Sequence, residues 1–163
     1  MIEAHMKTDL LSLRHAVATL AYRGGKAVRG APKEFAEFKV GAGTRTPGQI
    51  LAHIGDLLDW AVGFAEGKHV WRDSTPQPWK REVARFFAAL RRFDRRLAAK
   101  KPLGFPAKKL FQGPVADALT NVGQIAMLRR LAGCSVRGEN YFLAHIAAGR
   151  VGAKQKAPVR EFD

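Results

Sequence analysis

Residues 79–100, WKREVARFFAALRRFDRRLAAK, decide the fold class. An apolar side chain recurs every three or four positions, and arginines fill the positions between them, which is the period of an α-helix and not of a strand. The segment therefore predicts a long amphipathic helix. Its inward stripe is Val83, Phe86, Leu90, Phe93 and Leu97, and Arg81, Arg85, Arg92 and Arg96 are predicted to face outward.

Three further segments show the helical period, so we predict an all-α protein. The first covers residues 2–22 and is expected to end at Gly24-Gly25, because adjacent glycines are a common stop signal. The second, residues 46–66, opens with Thr46-Pro47, a typical N-cap followed by proline in the first turn. The last covers residues 113–133 and begins at a glycine-proline pair.

Four long helices joined by loops predict a four-helix bundle, whose interior is a usual place for ligand and metal sites. Shorter helices are expected in EFAEF, residues 34–38, and around residues 139–148. A length of 163 residues suits one domain, which we assign to residues 1–152. Residues 153–163, AKQKAPVREFD, are predicted to form a flexible basic tail.

The chain carries a formal net charge of +14. Thirteen basic and three acidic residues lie between Lys68 and Lys109, so most of the excess falls in and around the third helix. Such a face attracts nucleic acid without reading its sequence, although charged helix faces are usually only solvated. Without a leader or a long apolar run, the sequence predicts a cytoplasmic protein that does not enter a membrane. The single cysteine excludes an internal disulfide.

The last long helix contains DALTNVGQIAMLRR, residues 117–130, in which one stripe begins polar and ends in leucine. Helical spacing places Asp117, Asn121, Gln124, Leu128 and Leu131 on one face. The leucine half is expected to point into the core. The polar half either lines a cavity or is solvated at a helix end, where the helix dipole favours a carboxylate such as Asp117.

His53 borders the inward face of the second helix. It lies about seven residues into that helix, while Asp117 and Asn121 lie about four and eight residues into theirs, so the three side chains are expected to meet at similar depth. A histidine that faces a carboxylate and an amide can bind a cation. The other interpretation is that His53 is a hydrogen-bonded structural residue.

RTPGQILAHIGDLLDWA, residues 45–61, and the segment 117–152, with its GQIAMLRRLAG and GENY stretches, resemble the DinB/YfiT-like superfamily of metalloenzymes. The resemblance implies an up-down-down-up four-helix bundle. It also implies a divalent metal bound by one histidine of the second helix and by two residues, four apart, on the last long helix. His53, Asp117 and Asn121 occupy those positions.

The family most often has histidine at the third position, where this chain has Asn121. An amide oxygen disfavours nickel and zinc relative to manganese and magnesium, so a weak site is expected, with an absent metal as the alternative. The resemblance implies a metal-dependent hydrolase, or a thiol-dependent transferase or isomerase, acting on a small molecule. A homodimer is also expected. The alternative function is a non-catalytic basic protein that binds nucleic acid or another polyanion through the third helix.

The other cysteine, histidine and tryptophan residues form no recognisable catalytic or metal-binding pattern. Cys134 follows the helix-ending glycine and is expected to pack there. The aromatic loop residues His69, Trp71 and Trp79 are expected either to pack locally or to form a lid. The remaining histidines, His5, His15 and His145, show no metal-ligand spacing.

Overall fold

The structure is a computed structural model that describes residues 2–162, with side chains from residue 8 onward. It is mostly helical, which confirms the all-α prediction. The helices are α1 Ile2–Val28, α2 Pro47–Ala65, α3 Trp79–Ala98, α4 Ala107–Leu110 and α5 Ala116–Leu131. A π-helical turn at Phe111–Val115, 3-10 turns at Lys33–Glu37 and Tyr141–Leu143, and two short strands, β1 Gly138–Glu139 and β2 Glu161–Phe162, complete the described elements.

The predicted start of α2 is confirmed by a reciprocal cap. Gln49 N donates to Thr46 Oγ1 at 3.2 Å, and Thr46 N donates to Gln49 Oε1 at 2.9 Å. Pro47 occupies the first turn, where its missing N–H costs nothing. After the helix, Gly67 has φ of 81°, a left-handed conformation that favours glycine. Local sequence therefore fixes both ends of the helix that carries His53.

The prediction that α1 ends at Gly24-Gly25 is wrong, because the helix continues to Val28. A Cβ atom on Gly24 would lie 2.5 Å from Cζ of Phe86 on α3. Glycine at this position therefore allows α1 to approach the ring of Phe86 closely and is not a stop signal.

The prediction that the last long helix begins at Gly113-Pro114 is also wrong. Helical backbone starts at α4 and runs through a π-helical turn, Phe111–Val115, into α5. Pro114 lies inside that turn, where the wider register accommodates a residue with no N–H. The predicted end is confirmed, since α5 stops at Leu131 and Gly133 follows with φ of 70°.

The C-terminal segment differs from its prediction. In place of a helix over residues 139–148 there is one 3-10 turn, Tyr141–Leu143. The segment predicted as a flexible tail contributes β2, which pairs antiparallel with β1. Lys26 of α1 also donates to Glu161 at 2.6 Å, so residues of the tail contact both β1 and α1.

The core lies between the four long helices, and α1 and α2 each pack against both α3 and α5. The predicted stripe of α3 supplies much of it, and α2 contributes Ile50, Ile54, Leu57 and Ala61. Its largest fully buried apolar side chains are Phe86, Phe93, Leu20, Leu51, Ile54, Leu58, Leu90, Leu97, Leu110 and Ile125. The contact between α2 and α5 brings the helix of His53 beside the helix of Asp117. Within residues 2–162, no helix has the length and hydropathy needed to cross a bilayer.

Candidate functional site

A cleft of about 820 Å³ lies between α2, α5 and the loop that precedes α2. Its lining mixes apolar and polar side chains, a combination typical of small-molecule sites. The three residues predicted from the sequence, His53, Asp117 and Asn121, all line it. The remaining lining residues are Val40, Thr44, Arg45, Ile50, Thr120, Gly123, Gln124, Met127 and Leu128.

His53 and Asp117 face each other across the cleft. Nε2 of His53 lies 3.8 Å from Oδ2 of Asp117. The His53 side chain is 20% exposed and that of Asp117 is 50% exposed, so solvent reaches both. The separation is too long for a direct hydrogen bond, which leaves both atoms available to a group bound between them. The expected approach of the two helices is thus present.

Asn121 lies beside Asp117 and is almost fully buried, with 5% of its surface exposed. Its Nδ2 donates to the backbone oxygen of Asp117 at 3.0 Å and to Oδ1 of the same residue at 2.9 Å. These two acceptor oxygens determine the orientation of the Asn121 amide. Its nitrogen must face Asp117, because an amide oxygen in the same place would be repelled by both acceptors. The Asn121 side-chain oxygen is therefore the atom left for an ion or a ligand.

The spacing and chemistry of these three side chains bear on whether they suit a divalent cation. An ion about 2.1 Å from each of two ligand atoms separates them by roughly 3.0 Å in octahedral and roughly 3.4 Å in tetrahedral geometry, so the 3.8 Å between His53 Nε2 and Asp117 Oδ2 must shorten for the two atoms to share an ion. Among the described residues, no three or more histidine, cysteine, aspartate or glutamate side chains are placed so that they could hold a metal ion together. One imidazole, one carboxylate and one amide oxygen therefore suit manganese or magnesium better than nickel or zinc.

The polar stripe of α5 agrees with its prediction except at one end. Gln124 lines the cleft and Leu128 is buried beneath it. Leu131 is instead 55% exposed, so the prediction that both leucines enter the core is wrong. Leu131 is the last residue of α5, beyond the part of the helix that is covered by its neighbours.

Trp71 borders the site from the loop between α2 and α3. Its ring contacts the His53 ring edge-on, with 5.5 Å between centroids, and it contacts Trp60 at 5.4 Å. Trp71 Nε1 donates to Asp73 at 3.0 Å. The loop is tied to α2 because Ser74 N donates to Asp56 at 3.1 Å. This loop therefore helps to orient His53.

Arg85 anchors the same loop, so the prediction that it faces solvent is wrong. Its guanidinium donates to Asp56 at 2.5 Å, to Asp59 at 2.9 Å and to Ser74 Oγ at 2.8 Å. Burial opposes the charged form of Arg85, but the hydrogen bonds to Asp56 and Asp59 outweigh burial and raise its pKa. The arginine joins α3 to α2 and to the loop that carries Trp71.

Two more arginines of α3 make intramolecular contacts. Arg92 pairs with Asp59, and Arg96 donates to the backbone oxygens of Ala65 and Pro102 at 2.6 and 2.7 Å. The predicted basic face is therefore smaller than the sequence suggests. The exposed basic residues of α3 outside these contacts are Lys80, Arg81, Arg91 and Arg95.

Sequence reasoning missed the contribution of the loop before α2. Thr44 and Arg45 line the cleft, but nothing in their local pattern indicates where that loop lies. Thr120 was also missed, although its spacing of three residues from Asp117 on a helix places it nearby.

The secondary candidates lie elsewhere. Trp79 is buried against Phe35, with 5.5 Å between ring centroids, so it takes no part in a lid. His69 stacks on Trp60 and Phe64, and Cys134 is partly buried after α5. His15 and His145 are exposed and away from the cleft lining, and the side chain of His5 lies outside the described part of the chain.

Comparison with known proteins identifies no relative. No protein-family model matches the chain, and no curated protein or solved structure is significantly similar to it.

Proposed function

We propose that this chain is a DinB-like metal-dependent enzyme that binds a small molecule in the cleft between α2 and α5. The observation that carries the proposal is the placement of His53 Nε2 3.8 Å from Asp117 Oδ2 on the wall of a cleft of about 820 Å³. Asn121, four residues from Asp117, lies in the same cleft. These three residues occupy the positions at which the sequence motifs resemble the metal-binding pattern of that superfamily.

The proposal includes the architecture of the superfamily, an up-down-down-up four-helix bundle. Two observations support it: residues 2–162 form four long helices, and α1 and α2 each pack against both α3 and α5. Four helices that pack against one another in this way enclose one core, as in other bundles. The homodimer and the cytoplasmic location expected from the sequence stay predictions.

His53 and Asp117 would hold the ion, and the Asn121 side-chain oxygen would be its third protein ligand. A bound divalent cation supplies Lewis-acid polarisation of a carbonyl, or lowers the pKa of a water or thiol. The chain itself supplies the imidazole of His53 as the nitrogen ligand of the ion, through Nε2. The edge-on contact with Trp71 restricts the orientation of that imidazole. The reaction class is hydrolysis, or transfer or isomerisation that uses a thiol.

The cleft lining favours a small molecule with an acidic group and an apolar body. Arg45 is an exposed cation of the lining, and arginine is well suited to bind a carboxylate. Ile50, Met127 and Leu128 supply apolar surface in the same cleft.

The alternative function, polyanion binding through α3, loses part of its basis. Arg85, Arg92 and Arg96 are engaged in contacts within the chain. The remaining exposed cations bind nucleic acid only in a salt-sensitive, sequence-independent manner. Sequence-selective binding that survives high salt would favour the alternative over the enzyme.

A ligand-observed NMR screen of small carboxylic acids with aliphatic or aromatic bodies, with and without magnesium, tests the proposal. We expect hits whose signals are lost in Arg45→Ala and in His53→Ala. Lys39→Ala is the matched control, because Lys39 is an exposed cation of the same loop outside the cleft lining. The proposal would be contradicted if no compound binds, or if the binding signals of the hits change equally in all three variants.

A further inference from the structure

A second cavity, of about 260 Å³, lies where the C-terminal segment folds against the end of α1. It shares no lining residue with the cleft between α2 and α5. Four cationic side chains line it: Lys26, Arg29, Arg137 and Lys156. One carboxylate, Glu161, belongs to the same lining.

A buried hydrogen-bond network forms one wall of this cavity. Tyr22 Oη donates to Glu139 Oε1 at 2.6 Å, and Lys26 Nζ donates to Glu139 Oε2 at 2.7 Å. Burial and the hydrogen bond to Glu139 raise the pKa of Tyr22. Lys26 also donates to Glu161 at 2.6 Å, and this hydrogen bond lowers the pKa of Glu161. The network fixes one cation on the wall and joins the C-terminal segment to α1.

The charges of the cavity do not cancel. Counted over the described residues, four cations face two carboxylates, Glu161 of the lining and Glu139 behind Lys26, which leaves an excess of two positive charges. Arg29 and Lys156 are exposed and have no ion-pair partner among the described residues. Arg29 and Lys156 are not needed to cap the C-terminal end of α1. Arg129 Nη1 already donates to the backbone oxygens of Ala27 and Arg29 there, at 3.1 and 2.7 Å.

We infer that this cavity binds a phosphate dianion, either free or as the terminal group of a small phosphomonoester. A phosphate monoester carries a charge of about −1.5 to −2 at pH 7, which matches the excess charge of the cavity. The volume of about 260 Å³ accommodates a phosphate and a few further atoms, and it is below the range of about 300–1,000 Å³ usual for drug-sized ligands. Arginine and lysine are the side chains that proteins use most for this group.

Titration calorimetry at constant ionic strength tests the inference with three probes. Inorganic phosphate and glycerol phosphate present a dianion, whereas dimethyl phosphate is a monoanionic diester like the backbone of nucleic acid. We expect saturable binding of at least one dianion and binding of dimethyl phosphate that is roughly tenfold weaker or undetectable. Tighter binding of glycerol phosphate assigns the site to a monoester, and tighter binding of inorganic phosphate assigns it to the free ion.

Variants locate the site. We expect Arg29→Ala and Lys156→Ala each to weaken dianion binding roughly tenfold, because each removes one charged hydrogen-bond donor. Lys154→Ala is the matched control, since Lys154 is an exposed lysine of the same segment outside the lining, and it should change the affinity by less than about twofold. Circular dichroism checks that each variant is folded.

Three results would overturn the inference: no saturable binding of either dianion, equal affinity for dimethyl phosphate, or equal weakening by Lys154→Ala. Chemical shifts from a phosphate titration give an independent reading. The shift changes should be largest at Lys26, Arg29, Gln155 and Lys156 and absent at His53 and Asp117. A lack of phosphate binding in this cavity would therefore not contradict the function proposed for the cleft between α2 and α5.

Discussion

Asn121 Nδ2 donates to both the backbone oxygen and the carboxylate of Asp117, at 3.0 and 2.9 Å. The contact has two consequences for the cleft. It holds the Asp117 carboxylate in place through Oδ1, and it leaves the Asn121 oxygen as the ligand that this side chain can offer. At the third of the proposed ligand positions, Asn121 therefore offers a neutral oxygen. The DinB/YfiT-like superfamily, which the sequence resembles, most often has an imidazole nitrogen there.

Replacing Asn121 by histidine should strengthen nickel or zinc binding roughly tenfold or more, because a nitrogen ligand then stands one turn from Asp117. Binding should also become more pH-dependent, since a second imidazole with an ordinary pKa of about 6.5 must lose its proton to coordinate. Calorimetric titration at pH 7 and pH 6 measures both effects. Leu131→His, on the exposed end of the same helix, is the control. A gain in Leu131→His equal to that in Asn121→His would mean that the three residues do not converge on an ion.

Gly24→Ala and Gly123→Ala should change stability in opposite directions. A Cβ on Gly24 would lie 2.5 Å from Cζ of the buried Phe86, so overpacking should cost about 1–3 kcal/mol. A Cβ on Gly123 meets no atom within 4 Å, so alanine should stabilise α5 by about 0.5–1 kcal/mol. Urea unfolding of both variants measures the two free energies. Stabilisation by Gly24→Ala would contradict the close approach of α1 to Phe86.

Arg85→Ala should destabilise the protein by about 3 kcal/mol, because it leaves the buried carboxylate of Asp56 without its cation. It should also expose the loop of residues 68–78 to proteolysis, since Arg85 holds Ser74. Arg95→Ala, an exposed arginine of the same helix, is the control and should change stability by less than about 0.5 kcal/mol. Equal effects of the two substitutions in urea unfolding and limited proteolysis would show that Arg85 is only a surface charge.

The contact of Lys26 with Glu161 should make the attachment of the C-terminal segment pH-dependent. The pKa of Glu161 is lowered from 4.5, so its contribution is present above that pH and is lost as the pH falls through the lowered value. The pKa of Lys26 is raised from 10.5 by its hydrogen bonds to Glu139 and Glu161, which outweigh the effect of burial. Its contribution is therefore present below 10.5 and is lost only as the pH rises through the raised value.

Glu161→Gln should accordingly lower the melting temperature at pH 7 and have little effect at acidic pH, below the lowered pKa of Glu161. Arg160→Gln is a control on the neighbouring exposed residue. Thermal unfolding of the three proteins at both pH values measures the difference. A destabilisation by Glu161→Gln that is the same at both pH values would show that the ion pair with Lys26 does not stabilise the fold.

The sequence predicted those features that depend on local chemistry. The cap at Thr46, the stripe of α3 and the left-handed Gly133 are local, because each is set by residues within a few positions. The meeting of His53 with Asp117 was expected from the similar depth of the two residues in their predicted helices.

The features that sequence missed depend on partners distant in the chain. Gly24 continues a helix because of Phe86, and Arg85 turns inward because Asp56 lies on the neighbouring helix. The tail is attached through Lys26, 135 positions away from Glu161. Neither helical period nor local propensity carries information on such contacts.

The central claim is that His53, Asp117 and Asn121 form one cation site, and manganese titration followed by electron paramagnetic resonance tests it most directly. Four proteins are compared: the parent chain, His53→Ala, Asp117→Asn, and the control Asp9→Asn, which removes an exposed carboxylate of α1 outside the cleft lining. We predict one weakly bound manganese ion per chain in the parent and in Asp9→Asn, and none in the other two variants, with helical content unchanged in all four. Manganese binding that is absent from the parent, or that is the same in all four proteins, would contradict the account.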